Sequence, residues 1–140
     1  MAHSVIQYRG KYSEMKDARL ALIVYAVLGE LTYHETLLPA NVKGLLDVWA
    51  HTIDACGPGC IDLQFDRFLT DSNDRAAFVR LLGSAKARLL ARGDPVELSH
   101  LRSRVSIQSI DFPDALPSQT IQAAFDDVLS LFDTDGCGTT

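Results

Sequence analysis

Hydrophobic residues recur along this 140-residue chain at intervals of three and four positions, the spacing of amphipathic helices. The clearest stripe follows Ser13, which is predicted to cap a first helix whose opening turn carries Glu14 and Asp17. Its members are Leu20, Ile23, Val24, Val27, Leu28 and Leu31. Because Leu22 and Tyr25 add apolar side chains on a second side, we expect this helix to be central.

A second helix is predicted to begin at Pro39, a residue suited to a first helical turn, and to end at Gly57 and Pro58. Its stripe consists of Val42, Leu45, Leu46, Trp49 and Ile53. Trp49 is in phase with that stripe, so we interpret it as a core residue, with a partly exposed binding anchor as the alternative. The segment 62–70 is shorter, and the spacing of its two phenylalanines favours a helix.

Three more helices are predicted in the second half of the chain. A long one follows a cap at Asp71 or Ser72 and ends at Gly93. A brief one over residues 94–102 begins with an Asp-Pro pair, and Ser118 caps the last. The apolar stripes are Phe78, Leu81, Leu82, Ala85 and Leu89 in the long helix and Ile121, Phe125, Val128, Leu129 and Phe132 in the last.

Two segments depart from helical spacing. Residues 1–12 are predicted to form a loose N-terminal arm or a short edge strand, and 105–112 alternates like a strand. One strand without an obvious mate cannot form a stable sheet. We therefore predict an all-α fold, a compact bundle of five or six helices with at most one short strand or hairpin, in a single domain of residues 1–140 with a frayed acidic tail at 133–140. Pairing of the two strand-like segments would make the class α+β.

The composition is that of a globular protein, with 47% hydrophobic and 22% charged residues. A chain of this length buries about 68% of its unfolded surface, so its folding requires neither disulfides nor metal. The longest apolar run, Leu20–Leu28, has nine residues, whereas a membrane span needs about 20. Three cysteines without a secretory signal fit a reducing compartment. We predict a cytoplasmic location and no membrane association.

Charge is unevenly distributed along the chain. Residues 75–104 hold seven bases against two acids, whereas residues 105–140 hold six aspartates and neither lysine nor arginine. The net charge of −5 disfavours nucleic acid as the main partner. Because like charges held together repel, a basic protein partner would relieve that repulsion. The predicted partner-binding residues are Asp111, Asp114, Asp126 and Asp127, and the alternative is that these acids serve solubility only.

The string Cys56-Gly-Pro-Gly-Cys60 is the most distinctive local feature. Two thiols around a tight turn can form a redox pair or supply two metal ligands. Structural zinc sites need four ligands, and neither a second ligand pair nor the Cys-x-x-Cys spacing is present. The favoured interpretation is a helix-ending turn with two small packed residues, and Cys56 and Cys60 remain a candidate redox pair. We predict neither metal nor cofactor.

The sequence lacks the motifs that mark common catalytic sites. It contains no Gly-x-Ser-x-Gly turn, and His34-Glu35 is not followed by the second histidine of a zinc-protease helix. Nothing in the sequence places a histidine against Cys56 or Cys60 as the base that a cysteine nucleophile needs. We therefore predict that the protein is not an enzyme.

A small acidic helical chain without catalytic residues resembles the bacterial immunity proteins, which neutralise contact-delivered toxins. The resemblance is one of type and covers the whole chain without any family motif, so it assigns no residue a role. It implies stoichiometric binding of a cognate toxin, a basic toxin domain, through an acidic surface. Two alternatives remain open: a regulatory or adaptor helical module, including a homodimer, that acts by protein–protein contacts, and a thiol-based switch at Cys56/Cys60.

Overall fold

Six helices and two small antiparallel sheets make up the described part of the chain, which in this computed structural model covers residues 3–34, 38–53, 61–102 and 113–132. In chain order the elements are β1 (His3–Tyr8), β2 (Lys11–Lys16), α1 (Asp17–His34), α2 (Ala40–Thr52), α3 (Phe65–Phe68), α4 (Ser72–Leu90), β3 (Val96–Glu97), α5 (Ser99–Arg102), β4 (Ala115–Leu116) and α6 (Ser118–Leu129). A 3₁₀ turn at Ser130–Phe132 continues α6.

The prediction of an all-α fold is wrong, because β1 and β2 form an antiparallel hairpin. Of the two alternatives for residues 1–12, the short strand is present as β1 and the loose arm is not. Arg9 and Gly10 connect the strands with φ angles of 50° and 87°. Two successive left-handed residues form a type I′ turn, whose twist matches that of a hairpin. Alternate residues of β1 are buried. The mate that β1 requires is therefore the segment 11–16, immediately after the turn.

The start of α1 also differs from the expectation. Ser13 and Glu14 belong to β2, and the helix begins at Asp17. Asp17 is buried, and its Oδ1 accepts a hydrogen bond of 2.6 Å from the hydroxyl of Ser4. The same hydroxyl accepts a hydrogen bond of 3.1 Å from the backbone N–H of Ile61. These bonds join the hairpin to α1 and to the segment that precedes α3.

The second sheet replaces part of the brief helix predicted over residues 94–102. Val96 pairs with Leu116 and Glu97 with Ala115, so helical structure begins only at α5. The strand predicted at 105–112 lies outside the described residues. The start of α6 lies where Ser118 predicted it, yet no side chain within α6 caps it. Instead, the carboxylate of Asp94 accepts a hydrogen bond of 3.0 Å from the Ser118 N–H, which satisfies a backbone donor of the first turn.

The remaining helix predictions are confirmed in type, although the segment 62–70 is helical only over Phe65–Phe68 and the predicted helix end at Gly57 and Pro58 lies outside the described residues. Pro39 immediately precedes α2, and Asp71 caps α4 by accepting a hydrogen bond of 2.8 Å from the Asp74 N–H. The prediction that α1 is central is also confirmed, because it is buried without interruption over residues 20–27 and contacts α2, α4, α5 and α6. None of the helices in the described ranges is long and apolar enough to span a bilayer.

An aromatic cluster closes the core beneath the hairpin. Trp49 is 2% exposed, and its Nε1–H donates a hydrogen bond of 2.9 Å to the carbonyl of Leu63. It therefore packs in the core and is not an exposed binding anchor. The cluster consists of Tyr8, Trp49, Phe65, Phe78 and Phe132. The hydroxyl of Tyr8 donates to the carbonyl of Leu69 at 2.6 Å, so the hairpin is fixed to the helical core.

The turn of the hairpin supplies a first testable prediction. Replacing Gly10 with alanine is expected to lower the free energy of unfolding by about 1–2 kcal/mol, because the left-handed conformation brings Cβ against the backbone. Gly83 is a matched control in the middle of α4, where an added Cβ has open space. Gly83→Ala is expected to raise the free energy of unfolding by about 0.5–1 kcal/mol. Urea unfolding measures both, and an equal effect of the two substitutions would contradict the assigned turn.

Candidate functional site

The four aspartates predicted to bind a partner lie in different places. Asp111 is outside the described residues. Asp114 is exposed just before β4, and its carbonyl accepts a hydrogen bond of 2.8 Å from the Leu98 N–H. Asp126 and Asp127 are both exposed on α6. The described part of the chain therefore brings together one adjacent pair of the four.

Asp126 and Asp127 face different sides of α6. Asp126 accepts a hydrogen bond of 2.7 Å from Nζ of Lys86 on α4, and such a partly exposed pair contributes about 0–1 kcal/mol. Asp127, about 100° further around the helix, lines a groove together with Met15 and Arg19. No described residue donates a hydrogen bond to its carboxylate or pairs with it. The uncompensated charge of the pair is therefore on Asp127.

The basic residues of the segment 75–92 are partly neutralised by acids from other elements. Besides Lys86, Arg88 makes two hydrogen bonds to Glu30, of 2.8 and 3.0 Å. Arg92 lies 3.3 Å from Glu97. These pairs reduce the positive field that the sequence alone attributes to this segment. The charges of the chain are therefore less segregated in space than along the sequence.

The outer face of the hairpin carries the large exposed apolar side chains of the described residues. Tyr12 is 75% exposed and Val5 is 56% exposed. Strand alternation places both on this face together with Glu14, which lies opposite Val5 in the register. No described residue pairs with the Glu14 carboxylate. Lys16 follows two positions later on the same face of β2, so the hairpin exposes an apolar patch flanked by one acid and one base.

A groove of about 360 Å³ separates β2 and the start of α1 from α6. Its lining consists of Met15, Arg19, Gln119, Thr120, Ala123, Ala124 and Asp127. Several of these side chains are small or polar, so the groove is shallow and open to solvent. Arg19 and Asp127 line this groove, whereas Val5, Tyr12 and Glu14 lie on the outer face of the neighbouring hairpin, and we refer to these five residues together as the hairpin–α6 surface.

A second cavity, of about 210 Å³, lies between α1, α4 and α5. Glu30, Arg88, Arg92 and His100 contribute its polar groups. The Glu30 carboxylate is almost completely buried and is held by Arg88, while Arg92 pairs with Glu97. The cavity is also smaller than the 300–1,000 Å³ typical of ligand sites. The charged groups of this cavity are paired with one another or with neighbouring residues of the protein. We therefore interpret them as a structural cluster that links α1, α4 and α5.

Side chains that could hold a metal ion do not cluster within the described ranges. No three His, Cys, Asp or Glu side chains there are placed to hold a metal ion. Hydrogen bonds from the Ser99 side chain and backbone, followed by Arg92, hold the pKa of Glu97 below its ordinary value. The Glu97 carboxylate accepts a hydrogen bond of 2.6 Å from the Ser99 N–H, so it stabilises the first turn of α5. Cys56 and Cys60, the candidate redox pair, lie outside the described residues.

Comparison with known proteins gives no indication of function, so the function has to be inferred from the chemistry of the surface. No protein-family model matches this chain, and no curated protein or solved structure is similar to it. Sequence reasoning named Asp127 but missed Tyr12, Glu14 and Arg19 as members of the same surface. The sequence offers little signal for them: Gly10 suits a turn, but Arg9-Gly10 is not one of the residue pairs that mark a hairpin, and the segments on either side do not alternate.

Proposed function

We propose that the protein is a binding protein that neutralises a cognate antibacterial toxin in a stoichiometric complex, as the immunity proteins that it resembles do. The observation that carries this proposal is the hairpin–α6 surface, where Tyr12 and Val5 are exposed on the same face as Glu14, and where Asp127, which pairs with no described residue, lines the neighbouring groove. Exposed apolar side chains next to charged ones are characteristic of protein interaction sites. The proposal requires neither a cofactor nor a catalytic group.

The expected partner is a basic toxin domain. Tyrosine is enriched among the residues that dominate binding energy, and Tyr12 is available for that role. Uncompensated carboxylates increase the association rate with a basic protein, and the chain as a whole carries a net charge of −5. That charge disfavours nucleic acid as the partner. The three cysteines are consistent with action in the cytoplasm, where such a toxin would be met.

A second candidate is a regulatory or adaptor module that acts as a homodimer. The observation that favours it is the same exposed pair, Val5 and Tyr12, on a two-stranded sheet. Association of two copies through apolar side chains would change little with salt, whereas binding of a basic partner weakens as salt screens the carboxylates. The salt dependence of complex formation therefore separates the two candidates.

Affinity capture from the native host's lysate tests the proposal. The tagged chain is expected to retain one basic protein at low salt and to lose part of it in a high-salt wash. Light scattering on the purified complex should give a fixed stoichiometry. Recovery of the bait alone, as a dimer insensitive to salt, would favour the adaptor module. A retained protein that is acidic would contradict the role given to the carboxylates.

The adjacent aspartates of α6 provide a matched pair of variants. Asp127→Asn is expected to slow association with the captured protein severalfold at low salt, because it removes an uncompensated charge. Asp126→Asn should have a smaller effect, because Lys86 already neutralises that carboxylate. Surface plasmon resonance at several salt concentrations measures both rates. Equal rates for the two variants would show that Asp127 does not steer the partner.

A further inference from the structure

The turn of the hairpin determines which backbone groups of β2 lie at its outer edge. In a two-residue type I′ turn the flanking residues, here Tyr8 and Lys11, form a hydrogen-bonded pair. Bonded and non-bonded pairs alternate from there, so Tyr12, Glu14 and Lys16 belong to non-bonded pairs and their N–H groups point away from β1. We refer to these three residues as the β2 edge. The carbonyl of Lys16 precedes α1 and accepts the first hydrogen bond of that helix, whereas the other two carbonyls point outward.

The outward groups of the β2 edge make no hydrogen bond to any other residue of the described ranges. Buried backbone groups are nearly always paired, so these groups are accessible to solvent. The first strand is flanked differently, because α3 contacts β1 and the segment 61–66 bonds to Ser4 and Arg9. A row of unpaired donors and acceptors on a strand is a template for another strand. The β2 edge is therefore the side of the hairpin on which a strand can be added.

The side chains at the β2 edge and beside it carry equal numbers of acids and bases. Glu14 and Lys16 lie two positions apart on the same face of the strand, and neither pairs with a described residue. The neighbouring groove has the same balance, because Arg19 and Asp127 both line it without a described partner. A strongly acidic or strongly basic strand would be attracted by one charge of each pair and repelled by the other. The complementary occupant is a strand that carries both signs in the reverse order.

A second copy of the chain carries both signs in that order when its β2 edge runs antiparallel to the first across a two-fold axis. With the axis at Met15, Glu14 of each copy lies opposite Lys16 of the other, so an acid meets a base twice. Sliding one copy by two residues places the two Glu14 side chains opposite each other, and like charges in that position are destabilising. Sliding it by four places Glu14 opposite Tyr12 and forms neither charge pair. The charges therefore select the register centred on Met15.

We propose that the protein forms a two-fold homodimer in which the two β2 edges pair as antiparallel strands, with Glu14 of each copy opposite Lys16 of the other. Each Lys16 N–H donates to the Glu14 carbonyl of the other copy. Each Glu14 N–H donates to the Lys16 carbonyl, which has a second lone pair beside its bond in α1. The two hairpins then form one four-stranded sheet that leaves Val5 and Tyr12 on its outer face and Asp127 in the groove. The dimer does not rest on the toxin-neutralising function.

Charge reversal tests the register, because every substitution acts twice in a two-fold dimer. Glu14→Lys places bases opposite bases and Lys16→Glu places acids opposite acids, so each is expected to raise the dimer dissociation constant at least about tenfold. An equimolar mixture of the two variants restores opposite charges at both positions. It is expected to dimerise like the wild type although both variants keep a negative net charge, and so is the double variant Glu14→Lys, Lys16→Glu. Sedimentation equilibrium over a range of concentrations measures all of them, and restoration in the mixture also shows that both variants fold.

Arg80→Glu is the control, because it reverses an exposed charge on α4 and changes the net charge as Lys16→Glu does. It should leave the dissociation constant unchanged.

Amide hydrogen exchange in the wild-type chain provides a readout that requires no variant. Exchange at Glu14 and Lys16 should slow as the protein concentration increases, whereas Tyr12, which lies beyond the paired residues in this register, should not change. A wild-type chain that stays monomeric up to about 1 mM, single variants that dimerise like the wild type, a monomeric mixture, or exchange slowed equally at Tyr12 would overturn the proposal. Because none of these measurements involves a toxin, the dimer can fail while the toxin-neutralising function stands, and the reverse.

Discussion

Replacing Phe65 with alanine is expected to lower the free energy of unfolding by about 3–5 kcal/mol, the range for large core truncations of aromatic residues. Phe65 is 1% exposed, and its ring contacts Tyr8, Trp49, Phe78 and Phe132. The substitution removes apolar surface from the core and also the ring pairs, each worth about 0.5–1.5 kcal/mol beyond burial. Denaturant unfolding measures the loss.

Phe68 is the matched control on the same short helix. It is only partly buried, against Gly44 and beneath the guanidinium of Arg67. Phe68→Ala is therefore expected to cost less than half of what Phe65→Ala costs, since less apolar area returns to water. A similar loss for both variants would mean that the ring cluster does not organise the core beneath the hairpin.

Replacing Arg88 with methionine is expected to lower the free energy of unfolding by about 2–4 kcal/mol. The side chain of Glu30 is 1% exposed, and Arg88 holds it through two hydrogen bonds. Removing one partner of a buried ion pair costs about 3–5 kcal/mol, and the smaller value here reflects the 54% exposure of the Arg88 side chain. The buried carboxylate would lose the guanidinium that neutralises it.

Arg80→Met is the control, because Arg80 is exposed on the same helix and pairs with no described residue. It is expected to change stability by less than about 0.5 kcal/mol. Replacing Glu30 with leucine together with Arg88→Met should recover part of the loss, since no charge then remains buried at that position. A full loss in the double variant would contradict the ion pair as the cause.

The helices could be predicted from the sequence because each carries an apolar stripe that its neighbours cover. The hairpin could not, because its second strand has no strand-like alternation. Ser13, Glu14 and Asp17 are typical of a helix start, and the apolar residues Tyr12 and Met15 are three positions apart. Tertiary contacts favour the strand, since the Ser4 hydroxyl bonds to Asp17 and Tyr8 anchors β1 in the aromatic cluster. Neither contact can be inferred from the spacing of residues in the sequence.

For the candidate site, the sequence could predict only that the last quarter of the chain is rich in acidic residues. Which of the two adjacent aspartates forms an ion pair depends on the rotation of α6 relative to α4 and β2. Lys86, which neutralises Asp126, is 40 positions away in sequence. The pairing of β3 with β4 was also hidden, because two-residue strands are too short to produce an alternation. Local sequence patterns therefore predicted individual helices. The exposed surface depends on how the helices and strands pack together, which those patterns do not contain.

The central claim is that the chain neutralises a toxin through the hairpin–α6 surface. The measurement that tests it most directly is growth of cells that express the captured partner together with this chain. The partner alone should arrest growth, and both wild-type chain and Asp126→Asn should restore it. The double variant Tyr12→Ser, Asp127→Asn should fail to restore it although it folds. A partner without toxicity, or full protection by the double variant, would contradict the account.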